Sequence, residues 1–233
     1  MGLRQIERKQ MFSEEAWDAT AGIRARIDCL PLLVELADGT LAPARFVEYL
    51  VQDDFYLRGY ARALAMLASR APSLEAAGFW AASAGGAVAA EREMHGSLLG
   101  DPVLAAMPRS GQPSPTTRAY SAMLQAATAY EPYAVGVAAV LPCFWVYAEV
   151  GRALAATAQG IADHPYGSWV AAYDDPAFQE ATRTAIRLMD EAAEAADAAT
   201  RAAMLEAFVE ATWYEEQFWA RSYELQRWDV SVG

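Results

Sequence analysis

The stretch that decides the fold is residues 141–151, LPCFWVYAEVG, which lies inside a long apolar segment. We predict one long helix here, with Pro132 in its first turn and its end near Ala158. Pro142 falls in the helix interior, where it removes one backbone hydrogen bond at a cost of about 3 kcal/mol. Residues that break a local rule of secondary structure, as this proline does, concentrate at functional sites. The next residue is Cys143. A free cysteine is also a common buried hydrophobe, so these two residues alone favour a packing role.

Composition indicates one large helical domain. The chain has 233 residues, of which 55% are hydrophobic, and alanine is abundant while runs of β-branched residues are few. We find no strand pattern and no domain linker. We therefore predict a single all-α domain of long, mostly antiparallel helices over residues 11–228, after a disordered tail at residues 1–10.

Capping residues, prolines and glycines divide the chain into further helices. Ser13 is the predicted N-cap of a helix that ends near Asp28. An irregular connection is predicted at about residues 100–115, because prolines and glycines cluster there. The other predicted helices lie at about residues 31–38, 43–71, 74–99, 116–130, 166–172, 176–197 and 199–226.

Charge and cysteine usage limit the partners and the compartment. The net charge of −12 argues against nucleic acid and against an anionic membrane as partners, since either favours a basic surface. The apolar stretch at residues 133–148 is shorter than the roughly 18 to 20 residues that span a bilayer, and it contains Pro142. Cys29 and Cys143 have neither a disulfide framework nor CxxC spacing. We expect a cytoplasmic protein with reduced thiols.

Metal and nucleotide cofactors are not expected. The chain has only two histidines, His95 and His164, in unrelated contexts. Zinc and di-iron sites need clustered imidazoles or carboxylates with histidine at helical spacing. The glycine-rich loops that hold nucleotide phosphates do not occur either.

Five motifs along the chain resemble those of the thiaminase II family, often called TenA. They extend over almost the whole chain, from about Phe12 to Trp228. The leucine-proline-cysteine-aromatic-tryptophan segment is fairly specific, whereas glutamine-aspartate followed by tyrosine is weak alone. The motifs are residues 52–57 (QDDFYL), residues 114–116 (SPT) leading to Tyr120, residues 141–151, His164 and Pro165 leading through Trp169 to Tyr173, and residues 213–219 (WYEEQFW).

The resemblance implies a fold, an activity and an assembly. Members of this family form a haem-oxygenase-like helical bundle that binds no haem, usually as a homotetramer. They hydrolyse 4-amino-2-methylpyrimidines that carry a leaving group on the 5-methylene. The substrate is thiamin or 4-amino-5-aminomethyl-2-methylpyrimidine, and the product is the hydroxymethylpyrimidine. Members need no cofactor for this reaction.

The resemblance assigns Cys143 as the nucleophile and Glu215 as the general acid and base. A thiolate that adds to C6 of the pyrimidine breaks its aromaticity, so that electrons can expel the leaving group. A free thiol is only a few per cent ionised near neutral pH, so Cys143 needs a base or a polar contact nearby. Of the Glu215–Glu216 pair, one side chain can face inward while the other is solvated, because adjacent helical positions lie about 100° apart.

Asp53 matches the family aspartate that contacts the aminopyrimidine. It shares a helical stripe with Leu50, Tyr56 and Tyr60, whereas Asp54 lies about 100° around the helix. A salt bridge or a tyrosine hydrogen bond inside the core is the structural alternative for this aspartate. Tyr120, Tyr147 and Tyr173 match tyrosines that line the pocket in the family. Tyr56 is added by spacing, because it lies three residues after Asp53 on the same helical face. Aromatic side chains in a bundle are, however, often simply core.

Two other classes of function stay open at this point. One is a non-catalytic pyrimidine-binding or regulatory protein on the same scaffold, which would have no need of the thiol. The other is an oxidase of the same fold, with a metal or without a cofactor, which the scarcity of histidine disfavours.

Overall fold

The computed structural model describes residues 10–100, 102–171 and 175–229. Helices account for most of these residues, and no strand occurs among them. The predicted disordered tail at residues 1–10 lies almost wholly outside the described residues. The helices are α1 (Phe12–Ala19), α2 (Ala21–Ile27), α3 (Pro31–Asp38), α4 (Pro43–Arg70), α5 (Leu74–Gly100), α6 (Pro102–Ala105), α7 (Pro115–Tyr130), α8 (Tyr133–Ala158), α9 (Gly167–Ala171), α10 (Pro176–Ala195) and α11 (Ala198–Tyr223).

Local capping chemistry sets most of these boundaries. The Ser114 hydroxyl accepts a hydrogen bond from the backbone N–H of Thr117, 3.1 Å away, and Pro115 occupies the first turn of α7. Asp175 and Asp197 cap α10 and α11 in the same way. Gly39 ends α3 with φ +79°, a left-handed conformation that suits glycine.

The start of the chain differs from the prediction. The single helix from Ser13 to about Asp28 is divided at Thr20, whose hydroxyl donates to backbone carbonyls of the preceding turn. Ser13 is not an N-cap either, since α1 begins at Phe12. The backbone N–H and the hydroxyl of Ser13 both donate to the carboxylate of Asp190 in α10, each at 2.8 Å. Ser13 and Asp190 are 177 positions apart in the sequence, and their hydrogen bonds anchor α1 to the bundle.

Helix α8 forms the centre of the bundle. It packs against α3, α4, α7, α9, α10 and α11. Helix α4 pairs with α5 through a short connection and lies against α7. Gly59 permits the close approach of α4 to α7, because a β-carbon there would lie 2.9 Å from the side chain of Ser121. The two faces that carry the site motifs of α4 and α7 are therefore held together.

The length argument against a membrane span was wrong. Helix α8 has 26 residues and, among the described helices, it is the one long and apolar enough to cross a bilayer by length and composition. However, 72% of its most apolar window is buried inside the protein. Burial at the centre of a helical bundle accounts for this composition equally well.

Candidate active site

Helix α8 runs through Pro142 without interruption and places Cys143 deep between α4, α8 and α11. The thiol is free, and although protein surrounds it, part of the residue's surface stays accessible to water. The side chain also packs against the hydrophobic core, so the role of Cys143 as a nucleophile stays a prediction.

Glu215 lies on the inward face of α11 and is 1% exposed. The hydroxyl of Tyr120 donates a hydrogen bond to its Oε1 at 2.6 Å. Burial raises the pKa of Glu215 to about 8, and the nearby Asp53 raises it further, while the Tyr120 hydrogen bond acts in the opposite direction. The carboxyl of Glu215 can therefore give or take a proton near neutral pH.

The sequence suggested a solvated position for Glu216, but the structure does not place it on a solvated face. Its carboxylate is largely buried and accepts two hydrogen bonds from the guanidinium of Arg26 in α2, at 2.8 and 2.7 Å. The two neighbouring acids of α11 therefore lie in different environments. Glu216 joins α2 to α11 as an ion pair, and Glu215 faces the site.

Asp53 lies on α4 and is 7% exposed. Burial raises the pKa of its carboxyl to about 7, and the adjacent Asp54 contributes to that rise. Asp54 itself forms an ion pair with Arg58, one helical turn further on, at 2.8 Å. Asp53 acts electrostatically on both Glu215 and Cys143, which indicates that the two acids and the sulfur lie near one another.

The surroundings of Cys143 favour the protonated thiol over the thiolate. Burial raises the pKa of the thiol well above its usual range, and the carboxyls of Glu215 and Asp53 act in the same direction. Polar interactions with the hydroxyls of Tyr56 and Tyr60 act against this rise. The thiol is therefore protonated at neutral pH until a base takes its proton.

Tyrosines line the same region. The ring of Tyr56 lies 5.0 Å from that of Tyr120 and 5.4 Å from that of Tyr60. The Tyr56 hydroxyl is buried, and it interacts with the thiol of Cys143 rather than with a well-placed oxygen or nitrogen acceptor among the described residues. The Tyr60 hydroxyl donates to the backbone carbonyl of Val140 at 2.9 Å.

Sequence reasoning missed two of these tyrosines. Tyr60 was placed on the stripe of Asp53 without being assigned to the site, and that stripe was the available signal. Tyr49 was not considered, although its hydroxyl shares a 3.0 Å hydrogen bond with that of Tyr147. Tyr147, four residues after Cys143, is thus tied to α4. The predicted Tyr173 lies outside the described residues.

Two surface grooves lie away from this site. One, of about 460 Å³, is lined by both rings of the stacked pair Trp17 and Trp145. The other, of about 520 Å³, lies beside Tyr133 and Leu188. Neither groove is lined by Cys143, Glu215 or Asp53, or by the tyrosines near them. Within the described ranges, no group of three or more His, Cys, Asp or Glu side chains is placed to hold a metal ion.

Comparison with known proteins decides the family. The family model described as TENA/THI-4/PQQC family matches residues 24–225. The chain belongs to this family. Its fold agrees with that membership, because a solved TenA homologue from Pyrococcus furiosus superposes with a TM-score of 0.83 at 20% identity, over 91% of this chain and all of the other.

Two curated relatives show how the family domain is used elsewhere. A protein of Bacillus subtilis named aminopyrimidine aminohydrolase is 33% identical over 95% of this chain and 93% of its own length. A thiamine biosynthesis multifunctional protein of Corynebacterium glutamicum is 39% identical over 92% of this chain. This chain spans only 27% of the length of that multifunctional protein.

Proposed function

We propose that this chain is a hydrolase of the thiaminase II type, which acts on 4-amino-2-methylpyrimidines substituted at the 5-methylene. The observation that carries the proposal is the convergence of one thiol and two protonatable carboxyls on one buried site. The Bacillus subtilis relative, similar over nearly its whole length, carries the name of an enzyme with this substrate class. Binding alone would not require Cys143.

In this proposal the reaction begins with proton transfer from the Cys143 thiol to a carboxylate of the site, Glu215 or Asp53. The sulfur then forms a bond to C6 of the pyrimidine, and the ring electrons expel the group on the 5-methylene. The protonated carboxyl returns its proton to the leaving amine, so that ammonia departs. Water adds to the methylene and gives a proton to the carboxylate, and the sulfur leaves C6 as a thiolate that takes this proton from the carboxyl. The balance is aminomethylpyrimidine plus water giving hydroxymethylpyrimidine plus ammonia.

The two carboxyls differ in their suitability for this work. Glu215, with a pKa of about 8 and a hydrogen bond from Tyr120, suits the general acid that protonates the leaving group. Asp53, with a pKa of about 7, suits an acceptor for the ring amidine and the exocyclic amine. The Tyr56 hydroxyl can pair with a ring nitrogen.

The test is turnover of 4-amino-5-aminomethyl-2-methylpyrimidine and of thiamin by the wild-type protein. We expect ammonia and the hydroxymethylpyrimidine from the first substrate, detected by a coupled assay and by mass spectrometry. The ratio of the two rates shows which substrate is preferred. Tight binding of both pyrimidines without any product would overturn the proposal in favour of a binding or regulatory protein.

Assembly and location stay predictions from the sequence. They are a homotetramer, a cytoplasmic location and the absence of nucleic-acid and membrane partners.

A further inference from the structure

A further buried carboxylate, that of Glu48, lies outside the candidate active site. Glu48 in α4 is 1% exposed, and three segments of the chain satisfy it. The Gln52 amide donates to it at 2.8 Å, and the Ser110 hydroxyl approaches both of its oxygens at 2.8 and 3.0 Å. The guanidinium of Arg227 binds it with two parallel hydrogen bonds, at 2.8 and 2.9 Å. A buried charge with this geometry fixes its neighbours in place.

Arg227 belongs to a segment that follows α11 and crosses back over the bundle. We name residues 225–228 the strap. Leu225 turns the chain with φ +56°, a left-handed conformation that is unfavourable for a bulky residue. Three contacts hold the strap in spite of that strain. Besides the Arg227–Glu48 pair, the Gln226 side chain accepts from the backbone of Thr116 at 3.2 Å, and the Trp228 indole donates to the carbonyl of Pro113 at 3.0 Å.

The same network continues toward the candidate active site. The side-chain oxygen of Gln52 accepts from the backbone N–H of Ser114 at 2.8 Å and from the hydroxyl of Thr117 at 2.7 Å. Gln52 immediately precedes Asp53 in α4. Thr117 lies one helical turn before Tyr120, which holds Glu215. The amide of Gln52 therefore joins α4 to α7 at the level where each helix supplies a residue to the site.

We propose that Arg227, Glu48 and Gln52 are positioning residues, through which the strap sets the spacing of α4 and α7. This inference rests on the proposed function. The hydrogen bond from Tyr120 to Glu215 depends on the position of α7, which packs against α4. The position of Asp53 relative to Cys143 depends in the same way on the position of α4. None of the three positioning residues touches the reacting atoms.

The test uses a background in which the exposed Cys29 is replaced by serine, so that Cys143 is the remaining thiol. Arg227→Ala should lower kcat about 10-fold with KM changed less than about threefold, because a small displacement of catalytic groups slows the chemical step. Arg227→Lys should recover part of the loss, since it keeps the charge without the two-pronged geometry. Rates are normalised to the folded fraction of each variant, measured by circular dichroism at the assay temperature.

The matched control is Arg221→Ala, which removes an exposed ion pair with Glu224 at the end of α11. Its kcat should equal that of the parent. Equal losses in both alanine variants would overturn the proposal, as would a normalised kcat that Arg227→Ala leaves unchanged.

A second readout does not depend on turnover. The rate of iodoacetamide labelling of Cys143 against pH reports the groups around the thiol. Its midpoint should move by at least about half a pH unit in Arg227→Ala and stay in place in Arg221→Ala. If the wild type hydrolyses neither pyrimidine, the proposed function fails while this profile still tests the positioning role. An unchanged midpoint in Arg227→Ala would overturn that role.

Discussion

The buried carboxyl of Glu215 makes the stability of the protein depend on pH in a defined direction. Its pKa is raised from the ordinary 4.5 to about 8, so the folded protein keeps this proton where the unfolded chain has lost it. The contribution of Glu215 to the stability of the folded state is therefore largest at acidic pH. As pH rises from about 4.5 to about 8, each pH unit lowers the free energy of unfolding by about 1.4 kcal/mol from this group, and the loss levels off above the folded pKa.

Glu215→Gln removes the titration but keeps the shape. The amide oxygen can still accept the 2.6 Å hydrogen bond from Tyr120. The free energy of unfolding of the variant, minus that of the wild type, should thus grow by about 4 kcal/mol between about pH 5 and about pH 8. Asp53, with a pKa of about 7 in the wild type, loses its proton while Glu215 is still mostly protonated and uncharged. Replacing Glu215 with an uncharged amide therefore changes the contribution of Asp53 little. Activity should fall while stability rises, because the proposed general acid is lost.

The assay is urea unfolding of both proteins at several pH values from about 5 to about 9, followed by circular dichroism. Glu206→Gln, at an exposed position of the same helix, is the control and should follow the wild type at each pH. A difference between Glu215→Gln and the wild type that does not vary with pH would refute the assignment of Glu215 as a buried, protonated acid.

Two further predictions concern the packing that places the site. Gly59→Ala should destabilise the protein by about 1–3 kcal/mol, because its β-carbon would overlap α7 at 2.9 Å, whereas Gly78→Ala, with open space around it, should stabilise it by up to about 1 kcal/mol. Equal thermal midpoints for the two variants would contradict this. Asp190→Ala should cost about 2–4 kcal/mol, since both buried donors of Ser13 lose their acceptor, and the exposed Glu194→Ala should cost less than about 0.5. Urea unfolding measures both, and a matching small effect at Asp190 would show that α1 is not anchored there.

The helical class and most helix boundaries followed from the sequence, because caps and prolines act locally. Pro31, Pro43 and Pro176 each lie in a first turn, as predicted from the sequence. Pro115 also begins a helix, although the sequence assigned it to the connection before that helix. Comparison with the TenA homologue confirms the all-α fold. The Ser13 cap was wrong because its real partner, Asp190, lies 177 residues away, a distance that no local rule covers.

The different environments of Asp53 and Asp54 were predictable for the same reason. Spacing on α4 separated the two residues, and the structure buries Asp53 and places Asp54 in an ion pair. The environment of Glu216 was not predictable, since Arg26 approaches it from another helix. The path of the strap could not be predicted from the sequence either. Left-handed turns are expected at glycine, and here the left-handed residue is Leu225.

The most direct test of the whole account is the hydrolysis rate of Cys143→Ser beside that of Cys29→Ser, on whichever pyrimidine the wild type converts. Cys143 is partly buried against the hydrophobic core, whereas Cys29 is exposed. We predict that Cys143→Ser loses at least about 100-fold in kcat, as expected when a covalent catalyst is removed, and that Cys29→Ser keeps the wild-type rate. A Cys143→Ser protein that turns over substrate within about threefold of the wild type would contradict the central claim.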